Sequence, residues 1–447
     1  MKRYEKYKPS GVEWLGEVPE HWEIKPLKFA ISYNDETLPE NTDLDTEILY
    51  VDISSVSLTD GIKNKELMIF ENAPSRARRI IKDGDVLVST VRTYLKAIAQ
   101  VESAEPNLIA STGFAVLRSK CGLNSQFLGY YIQSEGIVGA IVANSVGVSY
   151  PAINASDLVR LPICIPSETE QAIIANFLDK KTEKIDRLIN HQQALLEKLS
   201  EKRTALITET VCGRVRLPTA LNDNETLSGS NTPLRNSGIE WLGEVPEHWE
   251  NVNLKYLCCV KGGYAFASEL FTDEGIPVIR ISDILFDGTV DSKNCKKVSL
   301  DNIPNHSDFQ LKTGQFVMAM TGATIGKVSS YQSNELAYIN QRVGKFELLK
   351  SKLNYQFLGY ILKTSGYQEH IKLTAFGGAQ PNISDSEIVD YKISLPPLEE
   401  QTAIVNYLDT ETAKINRLQH KIERVIERLK EYRSALITQV VTGKVKV

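Results

Sequence analysis

Basic and aromatic side chains recur in short polar, glycine-bearing stretches of this 447-residue chain. ARRI and STVRTYLK offer Arg76, Arg78, Arg79, Arg92, Tyr94 and Lys96. Later, KGGYAFAS and TGATIGK, with residues near them, offer Lys261, Tyr264, Arg280, Thr324, Lys327, Gln341 and Arg342. Arg and Lys suit phosphates and the guanine edge, and Gln suits adenine, so the chemistry such a set could perform is contact with nucleic acid. Any one of these side chains could equally be a solvated charge or part of a turn. The set as a whole is what points to DNA.

Bond-making chemistry has no comparable signature. TGATIGKV imitates a phosphate loop, but Gly322 to Gly326 leaves three residues where four are needed, and Val328 stands where a magnesium-binding hydroxyl would be. The only Pro-Pro pair, Pro396-Pro397, is flanked by leucines and so is not the loop that holds a target amine for methylation. Glu23-Ile24-Lys25 ends like a nuclease motif, yet its counterpart later in the chain has Val252 in place of the lysine. No GxGxxG, GxSxG or Cys/His pairing is present. The six cysteines make no CxxC pair and the six histidines are scattered, so neither a metal site nor a disulfide scaffold is expected. These features read as a non-enzyme with reduced thiols in the cytoplasm. The opening MKRYEKYKPSGVEW is not a secretory signal, and no run of about 18 apolar residues occurs to span a membrane.

The elements that must position the loops come twice. SGVEWLGEVPEHWE at 10–23 returns as SGIEWLGEVPEHWE at 237–250, and all four tryptophans lie in these copies. From residue 125 onward the copies align at an offset of 230: SQFLGYYI with YQFLGYIL, IPSETEQAIIANFLDKKTEKIDRLI with LPPLEEQTAIVNYLDTETAKINRLQ, and LITETVCGRV with LITQVVTGKV. Between the conserved blocks the halves diverge. Since WLGEVPEHW is identical in both, it cannot read two different sequences, and a structural or docking role is expected. The polar stretch 214–236 reads as a linker.

After Pro166, Ser167 and Glu170 read as a capping box. Apolar residues then step by threes and fours without Pro or Gly, as in a coiled coil. One expected row runs through Leu178, Ile185, Gln192 and Leu199, the other through Lys181, Leu188, Leu195 and Lys202. In the second copy the rows are Leu408, Ile415, Ile422 and Leu429, and Glu411, Leu418, Val425 and Tyr432. Roughly 40 residues make a rod on the order of 60 Å long. Strands are expected at 47–56, 84–91 and 112–119, and at 276–284, 314–321 and 344–350; QFLGYYI and QFLGYIL read as helices with Phe127, Leu128 and Tyr131 inward.

Net charge is −5, but it is unevenly spread: residues 24–60 carry −6 and residues 61–96 carry +4. A mildly acidic chain can thus present a basic face.

The order WLGEVPEHW, GGYAF, TGATIGK and LPPLEEQTAI, set within a doubled layout covering almost the whole chain, resembles the specificity subunit of Type I restriction-modification systems. The resemblance implies an α+β protein, with two pseudo-twofold-related α/β target-recognition domains separated by two long helices pairing as an antiparallel coiled coil. It implies recognition domains at 1–165 and 237–395, a central spacer helix at 166–213, the linker at 214–236 and a C-terminal spacer helix at 396–447. Each domain would read one half of a split asymmetric site in double-stranded DNA, and the helices would set the gap. Two modification (methyltransferase) subunits holding S-adenosylmethionine would dock on the scaffold, with two restriction subunits, using ATP and Mg, joining them. The first half departs from the pattern: STVRTYLKA stands for the TGATIGK-like loop and PSETEQ for PPLEEQ.

Overall fold

The computed structural model describes residues 2–215, 233–239, 241–285, 288–302, 307–376 and 381–447; most of the expected linker, 216–232, lies outside them. The chain divides into two compact units, Met1–Ala194 with Ile422–Val447, and Leu195–Lys421. Both long helices, Glu168–Val211 and Leu398–Val441, are crossed by that division. Each unit therefore holds one globular region, the start of the helix that follows it, and the end of the other helix.

In the first unit, the strand Val86–Ser89 lies between Ile98–Gln100 and Phe114–Ser119, with Ile31–Tyr33 at the edge, all antiparallel. A second four-stranded sheet runs Glu66–Ile69, Glu47–Val51, Leu108–Ser111, Ala77–Ile80, with one parallel pair. Val86, Leu87, Val88, Phe114, Ala115, Val116 and Leu117 are all buried, which explains their continuous rather than alternating apolar runs. Arg118 crosses out of this sheet to buried Asp85 through two 2.8 Å hydrogen bonds and to Glu36 at 2.6 Å. That fork-on-carboxylate geometry keeps the Asp85 charge compensated. Pairing of Glu23–Pro26 with Pro162–Ile165 closes the globular region at its two ends. The second unit repeats the plan, with sheets built on Phe316–Ala319 and Val343–Leu348, on Ile276–Ile279 and Ala337–Ile339, and with Glu250–Asn253 paired to Lys392–Leu395. The expected strands are all present in part, and Ser125–Gln133 and Tyr355–Ile361 are helices with Phe127, Leu128 and Tyr131 buried.

Each globular region grips its long helix by side chains shared between the copies. Gln171, fully buried, accepts from the Asn124 amide at 2.7 Å and donates to the carbonyls of Gly122 and Pro166. Gln401 does the same with Asn354, Lys352 and Pro396. Tyr130 donates to Asp179 at 2.7 Å, as Tyr360 does to Asp409 at 2.5 Å. Only half of the expected capping box forms, the Glu170 amide donating to Ser167 Oγ at 3.4 Å. The Glu170 carboxylate turns instead to Tyr4, His21 and Trp22. His248 meets Glu400 in the same way at 2.8 Å.

That contact explains the identical tryptophan segments. Trp22 and Trp249 are buried, and each lies under the end of the long helix from the other half of the sequence. Gly443, at φ +71°, sits where an added Cβ would be 2.3 Å from Pro19 Cδ and 3.2 Å from the Trp22 ring. Gly213, at φ +75°, stands 2.7 Å from Pro246 by the same construction. Lys444 Nζ donates to the Leu15 carbonyl at 2.7 Å, and Arg214 to that of Leu242 at 2.9 Å. Gly443→Ala meets both the left-handed backbone and the proline ring, so it lowers the unfolding free energy by about 2–4 kcal/mol. Urea denaturation checks this; an unchanged midpoint would remove the docking role.

Within each unit the two helix segments run antiparallel. In the first, Cys164 lies beside the Val441 carbonyl at 3.5 Å and, further along, Asp186 pairs with Arg433 at 2.9 Å. In the second, Ile207 and Val211 share a core with Trp249, Ile404, Val405 and Leu408. Leu178, Ile185, Leu408, Ile415 and Ile422 are buried, and Leu199 and Leu429 partly so. The other expected row is displaced by one residue: Leu188, Leu195, Leu418 and Val425 are exposed, while Thr182, Ile189, Thr412 and Ile426 are buried. The cause is that Thr182 and Thr412 return their hydroxyls to the carbonyls of Leu178 and Leu408. A polar residue can then occupy the buried face, and adjacent apolar pairs such as Leu188-Ile189 and Val425-Ile426 leave two rows open in the sequence. No helix among the described residues is long and apolar enough to cross a membrane.

Candidate nucleic-acid interface

One loop recurs in both units with the same backbone and opposite chemistry. The strand Val86–Ser89 leads into a turn at Thr93–Leu95, flanked by Arg92 at φ +49° and Lys96 at φ +52°. In the second unit Phe316–Ala319 leads into Gly322–Thr324, and the left-handed positions belong to Gly322, φ +74°, and Gly326, φ +79°. The Arg92 amide donates to the Pro151 carbonyl at 2.7 Å, and the Gly322 amide to that of Pro381 at 2.9 Å. The bridges Val91–Ala152 and Val146–Ala152 are matched by Thr321–Asn382 and Phe376–Asn382. STVRTYLK therefore folds as TGATIGK does, at the position the alignment of copies gives it. A left-handed conformation costs a side-chain-bearing residue roughly 1–2 kcal/mol, and such strain collects at functional sites.

Arg92, Tyr94 and Lys96 are all exposed, and the Arg92 guanidinium stacks over the Tyr150 ring at 4.7 Å. Thr93 is buried and its hydroxyl bonds to Ser145 at 2.7 Å, which fixes the turn. Arg76 is exposed beside this loop, its carbonyl accepting from the Thr112 amide, while the Gly113 carbonyl accepts from Thr90. In the second unit the backbone brings Tyr264, Gln341 and Arg342 to the corresponding turn: Gln341 donates to the Tyr264 carbonyl at 3.0 Å, and Met320 to that of Arg342 at 3.0 Å. Gln341 and Arg342 are exposed, and Tyr264 packs edge-on to Phe266. Thr324 closes the turn and Lys327 follows it, both half-buried.

Other expected contacts are committed elsewhere. Arg78 and Arg79 lie on a strand, Ala77–Ile80, not on a loop. Arg78 stacks on Phe70 at 4.9 Å, and burial lowers the pKa of Arg79, whose Nε is buried without a partner among the described residues. Lys261 is also on a strand, Cys258–Gly262, where Asp308 at 2.9 Å and Glu347 at 3.0 Å hold it charged and neutralise it. Arg280 braces its own turn by bonding Asp283. Arg78, Arg79 and Lys261 thus project from strands, and Lys261 and Arg280 already hold carboxylate partners. What the sequence reading missed is the segment Ser145–Pro151, whose signal was the Pro-x-Ile spacing shared by Pro151-Ala152-Ile153 and Pro381-Asn382-Ile383.

Burial pushes the thiols of Cys164 and Cys258 up to about 12, so these two stay protonated. Among the described residues no three His, Cys, Asp or Glu side chains are placed to hold a metal ion.

The family described as Type I restriction modification DNA specificity domain matches this chain twice, at residues 57–198 and 246–428, together well over half its length. The chain belongs to that family. It is a DNA-specificity component of a Type I restriction-modification system, and not the catalytic one. It is similar to the Type I restriction enzyme MjaVIII specificity subunit of Methanocaldococcus jannaschii, 23% identical over 435 residues that span 96% of this chain and 94% of the relative. The EcoBI specificity subunit of Escherichia coli is 27% identical over 224 residues, 49% of this chain and 44% of that one. A chain from a solved type I R-M system structure, described for complex assembly and conformational transition, superposes with a TM-score of 0.66 at 23% identity, covering 96% of this chain and 99% of its own. That likeness shows the fold. The α+β class and the antiparallel pairing of the long helices agree with it.

Proposed function

We propose that each unit of this Type I specificity component reads one half of a bipartite, asymmetric DNA site, and that the two long helices set the gap between the halves. The observation that carries the reading is the shared loop: closed by matching backbone hydrogen bonds, it presents Arg92 and Lys96 in one unit and Gly322 and Gly326 in the other. Two readers of different chemistry in one chain free the target from the palindromy that a homodimer would impose. Half-sites about one helical turn apart, roughly 10 base pairs, would suit readers on one face of the duplex.

The chain also docks two adenine-methylating modification subunits and, through them, restriction subunits. Exposed apolar residues on the helices support this: Leu188, Val425 and Tyr432 in the first unit, Leu195 and Leu418 in the second. S-adenosylmethionine would be held by the modification subunits, and ATP and Mg by the restriction subunits.

Methylome sequencing of a host carrying this chain with its modification subunit tests the reading. The expected result is one methylated motif in two parts of different sequence. With the purified complex, affinity for a duplex carrying that motif should fall roughly 10³-fold or more between 50 and 200 mM salt if six or more phosphates are neutralised. A palindromic motif would remove the two-reader scheme, and absence of duplex binding at any salt would remove DNA reading altogether.

A further inference from the structure

The first unit exposes apolar surface where a folded domain has no internal reason to do so. Val146 is 81% exposed, Val148 102% and Tyr150 66%, all on the segment that joins the helix Glu135–Ala143 to the short helix Ala155–Leu158. Mobility does not explain the exposure, because the segment is tied down at both ends. Val146 and Ala152 exchange both backbone hydrogen bonds, at 2.8 and 3.0 Å. Ile153 donates to the Thr90 carbonyl at 2.9 Å, Arg92 donates to Pro151, and Ser145 holds Thr93. Gly147, at φ +116°, turns the tip. A fixed apolar tip of this kind marks a surface made for a partner.

Its neighbours select the partner. The Arg92 guanidinium lies on the Tyr150 ring, Lys96 stands at the other end of the same turn, and neither cation has a carboxylate partner among the described residues. A stacked cation and ring beside unpaired charge fits a polyanion with flat apolar faces, which is nucleic acid. An apolar protein surface would leave both charges uncompensated.

We propose that Ser145–Pro151 is a second base-contacting element of the first unit, in which Val148 and Tyr150 touch base edges while Arg92 and Lys96 meet the backbone beside them. The proposal rests on the half-site reading above. Val148 carries only methyl groups, so its fitting target is a thymine methyl or an exposed base face rather than a phosphate. Tyr150 is held in place by Arg92 and keeps its free face for the groove.

The test uses the full chain bound to its modification subunit. Two fluorescent duplexes serve as probes, one with the methylated motif and one with the first unit's half-site scrambled. Tyr150→Ala and Val148→Ser should each cut the preference for the first duplex about tenfold, the size of one lost base contact, with binding to the scrambled duplex changed less than about twofold. Tyr150→Phe keeps the ring on Arg92 and should keep most of the preference. Both positions are solvent-facing, so melting temperatures should be unchanged in all three variants. An unaltered preference in both the Ala and Ser variants overturns the proposal, as does an unaltered preference with weakened binding of the modification subunit, which would make the tip a protein contact. If the wild-type complex itself fails to distinguish the two duplexes, the half-site reading falls, and this inference with it.

Discussion

Exchanging residues 27–161 for the corresponding span of a relative is expected to change one half of the methylated sequence completely and to leave the other half as it was. The boundaries follow from the pairing of Glu23–Pro26 with Pro162–Ile165, which brackets the globular region immediately before its helix. Everything outside the bracket, including Trp22, Glu170 and the docked Gly443, stays in place. Everything inside it that faces DNA in the proposed scheme, from Arg76 to Tyr150, is replaced together. Methylome sequencing of the chimera reads the result directly. A change in both half-sites would mean that the units do not read independently. Removing one heptad from each long helix is the complementary experiment: it should alter the gap and keep the bases of both halves.

The second large effect is expected at Arg92 and Lys96. Replacing both with glycine copies what the second unit already has at these places, Gly322 and Gly326, so the backbone can be accommodated without rearrangement. Relief of the left-handed strain, about 1–2 kcal/mol per residue, is partly offset by the roughly 0.5–1 kcal/mol that glycine costs through the unfolded chain. Stability in urea should therefore be unchanged or slightly raised. Affinity for the motif duplex should nevertheless fall at least tenfold, with the loss confined to the half-site of the first unit, since the charges near the phosphates and the clamp on Tyr150 are both gone. Stability and binding thus move in opposite or independent directions. If the double variant were less stable by more than about 1 kcal/mol and bound DNA normally, the strained residues would be structural after all.

Much of the architecture was legible because it was written twice. The repeat, the strand positions and the inward faces of the QFLGY helices follow from spacing alone. What escaped did so for reasons of range and of side-chain chemistry. Lys261 looks like a free cation until Asp308, 47 residues away, folds against it. Arg78 and Arg79 looked like loop residues because ARRI has no alternation, yet the strand it forms lies beside Leu108–Ser111, whose own residues are all buried. The buried row of the helices lies one residue along because adjacent apolar pairs, Leu188-Ile189 and Val425-Ile426, fit either row, and Thr182 and Thr412 can be buried with their hydroxyls bonded internally. The apolar tip at Val146 and Val148 has no signature in the sequence, because two valines about a glycine read equally well as a short buried strand. Only its full exposure in the folded unit sets it apart.

The crossing of the helix ends has a consequence in time. The first unit is assembled from Met1–Ala194 and Ile422–Val447, so its closing piece is made only after the whole of Leu195–Lys421. At translation rates of roughly 5–20 residues per second, the Trp22 platform waits on the order of tens of seconds for the segment around Gly443 to emerge. The second unit needs nothing beyond Lys421 and can finish first. During that interval Trp22, Pro19 and the inner face of the nascent central helix stand uncovered. The half translated earliest is therefore the half that completes its fold last and the one most dependent on protection while it waits.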